Sequence, residues 1–252
     1  MPNSYFIPGE QRAAKVNELF TAIAGRYDLL NDLQSFGLHR YWKRRLVKLA
    51  NVQPGARALD ACCGTGDLAL ALAHRGAQTI GLDFNERMLQ IAETRKSKVQ
   101  SLRLEASPQS RVLSPQLNLT FIHGDAQALP FPDNSFDIVT MGYGLRNLVR
   151  WETGLDELQR VARKGGKILA LEFGKPENPL WRWLYFAYLR LLVPVLGRWF
   201  CGNAAAYDYI LESLKHFPAQ RGIEAKMQDL GLVKVRLINL IGGAMAINYA
   251  EK

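Results

Sequence analysis

Cysteine is scarce in this chain: three among 252 residues, two of them adjacent as Cys62 and Cys63. That excludes a disulfide framework, and no metal-ligand spacing occurs, so a reducing compartment and no metal site are expected. No run of about 20 apolar residues exists, so no segment is expected to span a bilayer. The first residues, Met1-Pro2-Asn3-Ser4-Tyr5-Phe6, lack the basic stretch and apolar core of a secretory leader. A cytoplasmic location follows as the expectation. Internal repeats and domain-sized linkers are also missing. Acidic groups are the minority, 23 Asp and Glu against 32 Lys and Arg, for a net charge of +9. An anionic membrane surface, a nucleic acid and a plain solvated exterior all suit that sign. What remains is ordinary for a globular protein, 48% hydrophobic and 22% charged, and long enough for one large α/β domain.

The stretch that organises the chain is Arg57 to Asp67. A short apolar run (Ala56, Ala58, Leu59) ends in Asp60, turns through Gly64 and Gly66, and restarts as the helical pattern Asp67-Leu68-Ala69-Leu70. Strand, tight turn and helix start is the arrangement at which open α/β sheets bind ligands. The two glycines permit positive φ and close approach of a ligand to the backbone. Gly64, Gly66 and Ala69 also fit the dinucleotide spacing, with Asp83 roughly 20 residues further on as the ribose-binding acid. Spacing alone does not separate a nicotinamide dinucleotide from S-adenosylmethionine. Charge does: Asp60 would oppose a pyrophosphate over the loop, but would attract a sulfonium and an ammonium.

Before this stretch, residues 13–50 read as helical, with stripes at Val16, Leu19, Phe20, Ile23 and at Leu29, Leu30, Leu33, broken at Gly25 and Gly37. The segment from Leu38 to Leu49 has a basic face, which either covers the sheet or acts as a lid or lipid contact. After the loop, strands are expected at Gln78–Asp83, Leu119–His123, Ile138–Met141 and Lys167–Phe173, with helices between them, which argues for a parallel sheet. Lys96–Asn118 carries Pro108 and Pro115 without clean periodicity and reads as a surface insertion. Trp181–Phe200 is unusually aromatic, either a buried cap helix or an apolar wall or shallow membrane foot; Pro194 and its arginines rule out a span. Helices at Tyr207–Phe217 and Ala219–Asp229 precede a closing hairpin of Leu232–Asn239 and Ala244–Tyr249.

Several stretches together resemble the C-methyltransferases of ubiquinone, menaquinone and phylloquinone biosynthesis. They are Arg26-Tyr27-Asp28, His39-Arg40-x-Trp42-Lys43, Asp60 through Asp67, Asn85-Glu86, Ala128 through Asp137, Gly144-Leu145-Arg146-Asn147, Leu171-Glu172-Phe173 and Tyr209 with Ser213 and Phe217. The glycine loop is generic to class I methyltransferases; the arginine-bearing segments are more specific. The form Met141-Gly-Tyr-Gly-Leu-Arg146-Asn147 most resembles the branch that methylates demethylphylloquinol. Cys62 departs from the small residue usual at its position.

The resemblance implies a Rossmann-like class I fold, a mostly parallel seven-stranded sheet with a C-terminal antiparallel hairpin. Residues 1–50 would form a helical cap, and 51–252 the methyltransferase domain, with the insertion at 96–118 and the aromatic helical segment at 179–218. It implies S-adenosylmethionine as cofactor, held by Asp60, Gly64, Thr65, Gly66, Asp83, Asp125, Ala126 and Gly142. Asp83 would chelate the ribose, and Asp125 with the Ala126 N–H would meet adenine. The acceptor implied is a prenylated quinol, demethylphylloquinol or demethylmenaquinol, with Arg146 stabilising its phenolate, Asn147 and Tyr143 orienting ring oxygens, and His39 a candidate base. His123 is assigned to packing. Contact at a membrane surface fits the aromatic segment, and no nucleic acid is expected. An RNA methyltransferase is the rival, weakened by the lack of an appended RNA-binding module; a benzoquinol acceptor and a non-catalytic scaffold are further alternatives.

Overall fold

Among the described residues, seven strands form one sheet, whose spatial order, numbered along the chain β1 (Arg57–Ala61), β2 (Gln78–Asp83), β3 (Leu119–His123), β4 (Phe136–Gly142), β5 (Ala162–Phe173), β6 (Val233–Leu240) and β7 (Met245–Glu251), is β3-β2-β1-β4-β5-β7-β6. A computed structural model describes residue 9 and residues 11–106, 117–201 and 205–252; the side chains of 103–106, 196–201 and 205–208 are outside that description. The first five pair in parallel, and β7 enters antiparallel between β5 and β6. The strand order reverses at β1 and β4, so the crevice at their carboxyl ends is the topological switch point where such sheets bind ligands.

Three helices precede the sheet: α1 (Arg12–Ile23), α2 (Tyr27–Ser35) and α3 (Leu38–Ala50). Then come α4 (Asp67–His74), α5 (Glu86–Ala106), α6 (Trp151–Val161), α7 (Pro179–Cys201), α8 (Ala205–His216) and α9 (Ala219–Asp229). Side chains alternate across each strand, so both faces need cover. Ala58, Ile138, Leu169 and Leu171 pack with Trp42, Leu46 and Val47 of α3 and with Leu68 and Leu72 of α4. Leu59, Val139, Ile168 and Ala170 pack on the other face with Leu155 and Leu158 of α6 and Ile223 and Met227 of α9. The basic helix α3 therefore covers the sheet, as one of its two expected roles, with Arg44, Arg45 and Lys48 left exposed.

The expected insertion is corrected in its first part. Lys96 to Ala106 continues α5, which runs for 21 residues. Its outer turns carry polar contacts such as Lys96 to Glu93 and Ser101 Oγ to the Ser97 carbonyl, with no apolar stripe for a periodicity to reveal. Residues 107–116 lie outside the described residues.

Candidate active site

The glycine loop is built as its residues require. Gly64 (φ +55°) and Gly66 (φ +84°) occupy the left-handed region, and a Cβ on Gly66 would stand 2.7 Å from the Phe121 ring. Cys62 takes φ +54° without being glycine. Asp67 opens α4, where its charge complements the free N–H groups.

A cavity at the carboxyl ends of β1, β2 and β4 is lined by Gly64, Asp83, Asp125, Ala126, Gly142 and Tyr143, and closed from above by Asn17, Phe20 and Tyr27 of the first helices. Five of the eight expected cofactor residues thus meet on one surface. The Asp83 carboxylate accepts from the Gly64 N–H at 2.7 Å and the Asn85 N–H at 2.8 Å, one per oxygen. Each oxygen keeps a free lone pair, the capacity a vicinal diol needs. Burial raises the Asp83 pKa, and those backbone hydrogen bonds oppose it. Asp125 uses Oδ1 for the Gln127 N–H at 2.8 Å. No Lys or Arg is among the described lining residues, so Asp83 and Asp125 make this a cavity for a cation and not for a diphosphate.

Asp60, Thr65 and Gly66 are not among the residues that line that cavity. Asp60 is 1% exposed, and accepts from the Ala69 N–H at 3.0 Å and the Thr140 hydroxyl at 2.8 Å. It fastens β1 to α4 and β4, away from the cavity lining. Register explains why: Asp60 pairs with Gly81, so Asp83 projects two residues further toward the crevice. Burial pushes the Asp60 carboxyl up to about 7, against hydrogen bonds from Thr140 and Ala69 and the charge of Lys43. The Thr65 hydroxyl donates to Asp28 at 2.8 Å and accepts from Arg95 at 3.0 Å. Arg95 also bonds Asp67, which takes Lys43 at 2.6 Å. Burial works to raise the Asp67 carboxyl, but Lys43 and Arg95 overcome it and hold it at about 2. This network pins α2 to the glycine loop. Gly142 lines the cavity, yet a Cβ there would meet Leu68 at 2.8 Å, so its bareness serves helix packing.

A second cavity lies beyond Tyr143, about 350 Å³ against about 110 Å³ for the first. Its walls are largely apolar: Phe36 just after α2, Trp42 of α3, Leu184 and Leu189 of α7, and Phe173 and Met245, paired where β5 ends and β7 begins. A third, smaller space of about 40 Å³ shares wall residues with both. Its lining shares Phe20 and Tyr27 with the first cavity, Asn31 and Phe173 with the second, Tyr143 with both, and adds Arg146. Arg146 is 6% exposed; its guanidinium stacks 4.6 Å from the Phe173 ring centre and donates from Nη1 to Glu172 (3.0 Å) and the Tyr143 carbonyl (2.9 Å). Its Nε is buried without a hydrogen bond among the described residues. Burial opposes the Arg146 charge, but Glu172 leads the groups that raise its pKa; burial raises Glu172 against Arg146's pull.

Asn147 lines the first cavity, with Nδ2 donating to the Tyr143 carbonyl at 2.8 Å and Oδ1 accepting from the Tyr209 hydroxyl at 3.0 Å. His39 opens on the second cavity, 3.0 Å from the Ser35 hydroxyl, and burial followed by Lys43 lowers its pKa. His123 contacts the Phe84 carbonyl at 3.0 Å, outside both cavities. Sequence reasoning missed Asn85 as a site residue. It caps α5 through the Met88 N–H and reaches Asn17 and Thr21 of α1, tying the cap to the crevice. Its signal was present: Asn directly before an acidic first turn is a strong N-cap.

Residues 9–252 match the family model described as the ubiE/COQ5 methyltransferase family. The chain is 38% identical to the ubiquinone/menaquinone biosynthesis C-methyltransferase UbiE of Ectopseudomonas mendocina, over 100% of this chain and 95% of that one. It is 39% identical to the demethylmenaquinone methyltransferase of Desulfitobacterium hafniense, over 97% and 92%. Among solved structures it resembles a methyltransferase of Thermotoga maritima (TM-score 0.61, 19% identity, 93% of this chain and 99% of that one). It also resembles the Haemonchus contortus phosphoethanolamine N-methyltransferase 2 bound to S-adenosyl-L-methionine (TM-score 0.60, 16%, 84% and 52%). With a switch-point crevice that suits a cationic donor and a match running nearly end to end, the chain belongs to the ubiE/COQ5 methyltransferase family and is an S-adenosylmethionine-dependent C-methyltransferase.

Proposed function

We propose that the protein methylates a ring carbon of a reduced, prenylated naphthoquinone, a demethylmenaquinol or demethylphylloquinol. The activities for which the relatives are named, ubiquinone/menaquinone biosynthesis C-methylation and demethylmenaquinone methylation, supply the acceptor class. One observation carries the reading: two chemically unlike cavities meet at a neck that holds a buried arginine. The first, which bears the Asp83 and Asp125 carboxylates, suits the donor, and the second, more apolar one suits a prenylated ring.

When bound, the donor supplies a sulfonium methyl that needs no further activation. Asp83, Asp125, Ala126, Gly64 and Gly142 would hold it. The remaining work falls to the chain: to align the ring carbon and to make it nucleophilic. Losing a proton from the neighbouring hydroxyl does the second, so the acceptor is the quinol and not the quinone. Arg146, with an unpartnered Nε at the neck, holds the developing oxyanion and orients a water that takes the proton. Burial pushes the Tyr143 phenol well above its ordinary range, so it donates to a ring oxygen and does not act as base. Asn147 keeps the Tyr143 loop in place through its two amide contacts. His39, held neutral by burial, faces the acceptor side as an alternative proton acceptor.

The rim of the apolar cavity supports contact with a lipid surface. Phe36 (75% exposed), Leu38, Leu184 and Ile241 stand open to solvent there, and α3 adds exposed Arg40 and Arg44. Among the described residues no helix is long and apolar enough to cross a membrane. Flotation with anionic vesicles tests that contact.

The reaction is tested by mass spectrometry after incubating the protein with donor and a panel of demethylated naphthoquinols and benzoquinols, reduced and oxidised. One ring methyl added to the reduced naphthoquinols is expected. Equal methylation of oxidised rings would contradict the phenolate route, and selective methylation of benzoquinols would move the acceptor assignment.

A further inference from the structure

Two tyrosine hydroxyls, those of Tyr143 and Tyr185, are buried with no hydrogen-bond partner among the described residues. Buried polar groups are nearly always paired, because an unmade hydrogen bond forfeits the hydration that burial removed. Both residues are 7% exposed, and both line the second cavity, whose polar lining residues Asn31, Gln34, Ser35 and His39 make no hydrogen bond to either hydroxyl. Their neighbours behave differently. Tyr188, on the same helix as Tyr185, donates to the Gln34 carbonyl at 2.6 Å, and Tyr209 donates to Asn147. Tyrosines with a structural role here are satisfied; these two are not. Burial pushes the Tyr185 phenol far above its ordinary range, with Arg146 opposing, so its hydroxyl keeps its proton and serves as a donor.

We propose that Tyr185 grips the acceptor directly, its hydroxyl donating to one ring oxygen of the quinol while Tyr143 holds the other. The assignment rests on the quinol reading above. Apolar walls hold a flat ring without fixing its rotation, since the hydrophobic effect has no direction. Two donors at two ring oxygens fix it, and so choose which ring carbon faces the donor cavity.

The test is Tyr185→Phe, read by binding and by stability. Affinity should be measured for a reduced demethylnaphthoquinol and for two prenylated naphthols, each lacking one of the two ring hydroxyls. The variant should bind the quinol about tenfold more weakly, melt no lower than wild type, and bind the methyl donor unchanged. The penalty should vanish for one naphthol and persist for the other. An unchanged quinol affinity, or an equal penalty on both naphthols, would overturn the grip while leaving the quinol reading intact. A wild type that binds none of the three ligands would sink the quinol reading and this assignment with it.

Discussion

The cavities proposed for the donor and the acceptor are built from different materials. The first is made by strand ends and loop backbone: Gly64, Asp83, Asp125 and Gly142 stand where β1, β2, β3 and β4 finish. The second is made by side chains of helices: Trp42 on α3, and Leu184 and Leu189 on α7, closing over Phe173 and Met245 of the sheet. Backbone positions tied into a parallel sheet hold a polar ligand in one pose. Helix-borne apolar side chains set a volume and a polarity, which suits a ring with a greasy tail. On the proposed assignment, the contrast teaches that donor recognition would rest on hydrogen bonds that single substitutions remove, whereas acceptor recognition would be spread over surface.

The neck should show the largest effect. Arg146→Ala, made together with Glu172→Gln to avoid stranding a buried carboxylate, is expected to lower kcat by about 10²–10³. Donor affinity should stay within about twofold, the pattern of a group acting on developing charge. Steady-state kinetics with titration calorimetry checks it; an unchanged kcat would remove Arg146 from the chemistry. Next, Asp83→Asn should weaken the donor by roughly 10²-fold, two charge-assisted hydrogen bonds' worth, with quinol binding unaffected. Loss of both affinities together would mean that the two cavities are not independent. On the acceptor side, Leu184→Asp at the mouth should raise KM about tenfold for a prenylated quinol and hardly at all for a tail-less one.

The gentlest expected effect is a slope. Asp60 is pushed up to about 7 by burial, above its ordinary value. A raised carboxylate pKa contributes stability below the unfolded value, near 4, and that contribution fades as pH climbs toward about 7. Thermal melts should therefore lose stability over that window in wild type, and Asp60→Asn should flatten the loss. Asp67, held at about 2 after Lys43 and Arg95 overcome burial, works the other way, its contribution vanishing only as pH falls from about 4 toward about 2.

The same division governs how much could be read from the chain. Strand, glycine turn and capped helix are local, so Arg57–Asp67, the parallel strands and the closing hairpin were legible in residue pattern. Asp83 and Asp125 were legible as acids at strand ends. The position of Asp60 behind the cavity lining was not legible, because a strand's register against its neighbour is non-local, and two residues of offset leave its carboxylate bonded to a helix. Likewise the far half of α5 has no apolar stripe to announce it. The acceptor cavity assembles residues as distant as Asn31 and Met245, so periodicity marked only its parts, such as the aromatic helix. Arg146 was legible as a residue of interest, but its ion pair with Glu172, 26 positions away, was not.

The central claim is that donor and acceptor occupy separate cavities that meet at Arg146. A crystal structure with S-adenosylhomocysteine and a reduced demethylnaphthoquinol tests it most directly. The account expects the ribose on Asp83 and the quinol ring beyond Tyr143, its tail running past Leu184. Both molecules packed into the cavity over Gly64, or a ring bound away from Arg146, would contradict it.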